Sequence, residues 1–181
     1  MLRLKRAVRL FQDVRQVALE AGLELNPVAP RLLLPILEAA SLQDDEDLHQ
    51  RWVALLTNAA RSDFDGEVLP YFPDILKQLT SEEARILDGA YEFLENNPGS
   101  SGESPIGMAG RLHSNVSGPV HPIILENLER LMLFTRRTVR GRVYYHYMTE
   151  LGKAFVRACR FPKQAATKSK SVRKRVRKER T

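Results

Sequence analysis

Between residues 45 and 61, Leu48, Trp52, Leu55, Leu56 and Ala59 recur at the three- and four-residue steps of an α-helix. This is the clearest apolar period in the chain. A stripe of that width is stable only when other elements cover it. The rest of the sequence supplies mostly helices to do so.

Residues 2–21 read as a second amphipathic helix, with Leu4, Val8, Phe11, Val14 and Ala18 as its inward face. Arg3, Lys5, Arg6 and Arg9 crowd its start, where cations oppose the helix dipole. Either the helix meets an acidic partner or the chain is a shortened version of a longer one. Gly22 stops the helix. Pro27, Pro30 and Pro35 then predict a connector, followed by a short helix over 35–40. Another short helix is expected over 71–79. Thr80 and Glu83 form the capping box of a helix that runs through Leu87, Tyr91 and Leu94. Residues 96–105 have loop composition, and only a short helix near 108–113 is expected before Pro122. From there Ile124, Leu125, Leu128, Leu131 and Met132 define an inward helical face.

One segment departs from the helical pattern. Residues 134–148 hold Thr138, Val139, Val143, Tyr144, Tyr145 and Tyr147, which favour strand, around an Arg140-Gly141 turn. Thr149 then caps a last helix through Leu151, Phe155 and Cys159, and Pro162 ends it. The order helix, short helix, helix, hairpin, helix over 80–160 matches a winged helix. A plain helical domain with an added hairpin remains the alternative.

Charge is divided unevenly. Nine cations and one acid stand between Lys163 and Thr181, a tail of +8 in a chain whose net charge is +6, so the other residues carry −2. The tail is poor in apolar residues and is expected to be disordered alone. The expected fold is therefore mainly α: a helical N-terminal domain over 1–79, a winged-helix-like domain with one β-hairpin over 80–162, and a disordered basic tail over 163–181. With 43% hydrophobic residues, a single cysteine and no apolar run of membrane-spanning length, the chain reads as a cytoplasmic protein.

No residue pattern points to catalysis. Asp44, Asp45, Glu46 and Asp47 sit where acids favour a helix start, and a metal role needs a second ligand set. Asp63 and Asp65 before Gly66 match part of a calcium loop, but its first and last ligand positions are Arg61 and Phe72. His49, His113, His121 and His146 share no helical i, i+4 spacing. Cys159 lies on an apolar helix face, and Gly99-Ser100-Ser101-Gly102 lacks the lysine of a phosphate loop. No catalytic residue, metal or cofactor is expected.

LLLPILEAASLQDDEDLHQRWVALLTNAAR over 32–61 and FPDILKQLTSEEARIL over 72–87 resemble the abortive-infection alpha family of bacteria. Leu48, Trp52, Leu55 and Leu56 carry the first motif, and residues 75–79 with Glu83, Ala84, Ile86 and Leu87 carry the second. Residues 148–156 look like the family's C-terminal part. Pro70-Tyr71-Phe72-Pro73 departs from the family's usual residues there, and the short N-terminal region implies a shortened member. The resemblance implies a non-enzymatic phage-defence protein acting through protein or nucleic-acid contacts, with no site residues to carry over. A winged-helix regulator of nucleic acid and a membrane-surface effector using the first helix are the alternatives.

The nucleic-acid reading rests on cations. Arg136, Arg137, Arg140 and Arg142 cluster towards the hairpin tip, and Arg173, Lys174, Arg175, Arg177, Lys178 and Arg180 crowd the tail. Glu126 and Glu129 on the preceding helix disfavour groove reading, so backbone contact with a polyanion is the expected mode. A protein partner, a second copy of the chain, and, less favoured, a membrane surface are the other partners considered. A salt series on random duplex DNA separates these sources. If the tail is the anchor, the full chain binds with affinity falling steeply as salt rises, and residues 1–162 do not bind. Binding by residues 1–162 assigns the contact to the hairpin instead.

Overall fold

The computed structural model describes residues 2–97, 122–139 and 143–161. It is mainly helical, with one two-stranded antiparallel hairpin. The helices are α1 (Leu2–Ala21), α2 (Pro30–Leu42), α3 (Glu46–Ala60), α4 (Phe72–Leu76), α5 (Ser81–Asn96), α6 (Pro122–Arg130) and α7 (Glu150–Ala158). The strands β1 (Phe134–Val139) and β2 (Val143–Met148) lie between α6 and α7. The short helix expected near 108–113, the turn at 140–141 and the tail over 163–181 lie outside the described residues.

The helix with the strongest apolar period is the centre of the molecule. α3 touches α1, α2, α5 and α7, and it is buried almost all round. Trp52, Val53, Ala54 and Leu55 are inaccessible, whereas Ala59 is only half-buried. Asp45 caps the helix by accepting from the Leu48 amide at 3.0 Å, so the acidic entry acts as a helix start. Arg9 of α1 reaches Glu46 at 2.8 Å, and Asp13 of α1 meets His49 of α3 at 2.8 Å.

α1 has the expected span but another inward face. Leu10, Val14 and Ala18 are buried, and Leu4, Val8 and Phe11 are exposed. Both sets have helical spacing, so periodicity does not decide between them. The packing of α2 and α3 does. The helix ends on Gly22 at φ +65°, with Leu23 N–H donating to Ala18 at 2.8 Å.

The helix expected over 35–40 begins earlier, at Pro30, and runs to Leu42. Pro30 stands at its first position, where its missing N–H is not needed. Pro35 is tolerated inside, although it removes one ladder bond. The segment expected over 71–79 is helical only over Phe72–Leu76.

The capping box of α5 is present. Thr80 Oγ1 accepts from the Glu83 amide at 3.2 Å, and the Thr80 amide donates to Glu83 at 2.7 Å. The second Glu83 oxygen accepts from Asn127 of α6 at 2.6 Å, so one buried carboxylate both caps α5 and ties it to α6.

α6 ends in a left-handed residue, Met132 at φ +60°, with Leu133 N–H donating to Leu128 at 3.0 Å. This turn points Met132 outward, where it was expected inside. Leu133 enters the core and starts the hairpin, whose first pair, Phe134 and Met148, is buried. Thr149 then joins three elements. Its hydroxyl donates to the Met132 carbonyl at 2.7 Å and accepts from the Gly152 amide at 2.9 Å. A Cβ on Gly152 would strike the Leu133 carbonyl oxygen, which explains the glycine three residues after Thr149.

The buried cluster passes without interruption from α1 to α7. Phe72 of α4 meets Phe155 of α7 edge-on, with ring centroids 5.4 Å apart. Asn58 completes the contact between α3 and α7. Its amide donates to the carbonyls of Ala158 and Arg160, both at 2.9 Å, which the end of α7 leaves unpaired. Asn58→Ala is expected to cost about 1–3 kcal/mol, because buried carbonyls lose their donor. Asn58→Asp should cost at least as much, since it sets an acceptor against acceptors. Urea midpoints with unchanged m values check both, and an Asp variant as stable as the parent would refute the assignment.

Candidate functional site

The end of α7 held by Asn58 forms one wall of a cleft of about 840 Å³. α3 and α5 form the other walls, and residues 61–65 close one end. Five arginines line it: Arg51, Arg61, Arg85, Arg157 and Arg160. Five acids do so as well: Asp47, Asp63, Asp65, Asp88 and Glu95. The cleft is thus highly charged but balanced.

The arginines differ in how firmly they are held. Arg51 is largely buried and pairs with Asp88 at 2.7 Å, joining α3 to α5. Its Nε, and the Oδ1 of Asp88, are buried without a hydrogen-bond partner among the described residues. Native proteins seldom leave such groups unpaired. Arg61 bonds Asp63 at 2.9 Å and lies 6.0 Å from the Phe64 ring centroid. This bond from Arg61 holds the Asp63 carboxyl below its usual range. Arg160 pairs with Glu92 and, at 3.4 Å, with Glu95, and stands over the Tyr91 ring. Arg85 and Arg157 are looser. Arg85 lies 3.9 Å from Asp47, and Arg157 reaches only the Asp65 carbonyl at 3.4 Å.

Cys159 is the only nucleophilic thiol. It is fully buried, and burial pushes its pKa far above the usual thiol range, so it is not a reactive thiolate. Among the described residues, no three His, Cys, Asp or Glu side chains converge as metal ligands. Of the two acids that match part of a calcium loop in sequence, Asp63 gives its carboxylate to Arg61, and Asp65 offers its backbone carbonyl to Arg157.

The expected nucleic-acid residues divide as follows. Arg140, Arg142, Arg173, Lys174, Arg175, Arg177, Lys178 and Arg180 lie outside the described residues. Arg136 and Arg137 lie on β1 and, as strand neighbours, project to opposite faces. Arg136 stands across from His146 and 3.9 Å from Glu129, while Arg137 stacks over the Tyr147 ring at 5.4 Å. α6 uses Asn127, Glu129 and Arg130 internally, and Glu126 is exposed. Glu129 holds His146 at 2.9 Å, and Asn127 holds Glu83 and Arg130.

The cleft itself escaped the sequence reading. Its residues come from positions 47 to 161, and its charged members on α3, α5 and α7 stand beside the apolar stripes and form no motif. The one available signal was Asn58, a polar residue inside the apolar run of α3.

A family model for abortive infection alpha matches residues 5–159, nearly all of the described chain. The chain belongs to the abortive infection alpha family. That membership makes it an abortive-infection-type defence protein. No curated protein and no solved structure matches it. In this abortive infection alpha protein the matched span runs from the first turn of α1 to the end of α7 and takes in every lining residue of the cleft except Arg160 and Phe161.

His146 supplies a pH response at the joint between hairpin and α6. Burial lowers its pKa below the usual 6.5, outweighing the opposite pull of Glu129. The unfolded chain therefore takes up a proton that the folded chain resists. Stability is full above about pH 6.5 and declines as pH falls towards the lowered folded pKa. Melting temperatures between pH 7.5 and 5.5 should fall for the parent and stay flatter for His146→Gln. Parallel curves would remove His146 as the source.

Proposed function

We propose that this chain serves abortive infection by holding a segment of another protein in the cleft between α3, α5 and α7, rather than by catalysis. The observation that carries the reading is the cleft's mixed lining of five arginines and five acids with Phe64, Tyr91 and Phe161 among them. Arginine and aromatic residues dominate the energetics of protein interfaces. A polypeptide carries both signs of charge and matches such a lining. A phosphate backbone entering the same cleft would meet five carboxylates, so the balance disfavours a polyanion there.

Arg85 and Arg157 test the reading at least structural cost, because both are exposed and weakly held. In bacteria challenged with phage, Arg85→Glu with Arg157→Glu is expected to abolish protection while the purified protein keeps its melting temperature. Arg137→Gln should leave protection intact. Protection that survives the cleft variant but is lost with Arg137→Gln would move the contact to the hairpin and favour a polyanion partner.

A further inference from the structure

α1 carries two apolar stripes, and the fold uses one. Leu10, Val14 and Ala18 are buried against α2 and α3. Leu4, Val8, Phe11, Arg15 and Leu19 follow one another at steps of four, three, four and four, which places them along one side of the same helix. The four apolar members are exposed, Leu4 to 71% and Leu19 to 76%. Scattered exposed leucines are ordinary, but an apolar stripe along about four turns of helix is a surface that gains by being covered.

Its charges are of one sign. The only acids of α1 are Asp13 and Glu20. Asp13 is turned to Arg9 and His49, and Glu20 accepts from Gln16. Arg9 is held by Glu46, and Arg6 by the Leu42 carbonyl. Arg3, Lys5 and Arg15 form no ion pair among the described residues.

We propose that this face of α1 lies on the surface of an anionic lipid bilayer, with Leu4, Val8, Phe11 and Leu19 at the acyl boundary and Lys5 and Arg15 on the headgroups. A stripe flanked by Lys5 and crossed by Arg15, whose long stem lets its guanidinium reach the headgroups, on a helix too charged to enter the hydrocarbon, is the pattern of an interfacial helix. No helix among the described residues is long and apolar enough to cross a membrane. Charge decides against a second copy as the occupant. Two-fold pairing sets a patch against itself and brings Lys5 and Arg15 against like charges. A nucleic acid answers the cations but offers nothing to the leucines. This placement is independent of the cleft, which is built from α3, α5 and α7.

The test is sedimentation of the full chain with vesicles of phosphatidylglycerol and phosphatidylcholine, and with phosphatidylcholine alone. The parent is expected to partition onto the anionic vesicles. Leu4→Ser with Leu19→Ser should reduce that partitioning at least about tenfold, since the apolar area is lost while every charge is kept. Both residues are exposed, and an unchanged melting curve verifies folding. Lys5→Glu with Arg15→Glu is a second route, expected to narrow the difference between the two vesicle types, the basic tail being unchanged. Equal binding by parent and serine variant overturns the proposal and leaves attraction by charge alone. Failure of the parent to bind overturns it too. So does a dimer in light scattering that the serine variant dissolves while vesicle binding is unchanged, which assigns the stripe to a second copy.

Discussion

The Asn58 amide is the hinge on which the architecture turns. A polar group buried at the middle of a helical core is costly unless its hydrogen bonds are complete. Here they are completed by the open carbonyls of Ala158 and Arg160, nearly a hundred residues further on. Neither element satisfies its own polar groups, and each satisfies the other's. This sets the end of α7 at one position along α3. Apolar packing alone, being non-directional, would let the two helices slide. Arg160 and Phe161 follow directly from that point, so the cleft wall inherits its position from one side chain.

The same logic recurs at the hairpin. The Leu133 carbonyl receives the Thr149 amide and hydroxyl, and the close approach of α7 leaves no room for a Cβ at Gly152. Met132 adopts a left-handed conformation that glycine would adopt at lower cost, and it thereby turns the chain from α6 into β1. Glu83 is a third case, one carboxylate serving as capping-box partner of α5 and as anchor of α6. At each joint a polar group with directional bonds fixes what the apolar core only gathers.

These joints explain what the sequence made legible. Periodicity located α1, α3 and α5, and strand propensity with a central glycine located the hairpin. Thr80, Glu83 and Thr149 marked helix starts, because capping is local and its partners lie three residues away. Tertiary choices were not legible. α1 offers two stripes of helical spacing, and only the shape of α2 and α3 selects Leu10 over Phe11. Pro35 looked like a start and lies inside a helix, because Pro30 already occupied the first position. The cleft was invisible for a related reason. Its arginines stand beside apolar stripes in three helices, where sequence alone cannot separate a solvated face from a facing wall. Family membership was more legible than the site, because the motif residues Leu48, Trp52, Leu55 and Leu56 are core residues with regular spacing.

Ion pairing divides the surface into two kinds of recognition. In the cleft, Arg51, Arg61 and Arg160 are already held by carboxylates. A partner entering there gains nothing from net charge and must match or replace pairs whose geometry is set. Such a surface discriminates between partners more than it attracts them. Along the outer face of α1, Lys5 and Arg15 have no carboxylate partner among the described residues, and Leu4 and Leu19 are exposed. In the proposal, that surface would attract any anionic layer with an apolar interior and discriminate little. In the proposed arrangement, an attracting face on α1 and a discriminating cleft on α3, α5 and α7 would let one small helical body be concentrated by the first while it selects with the second.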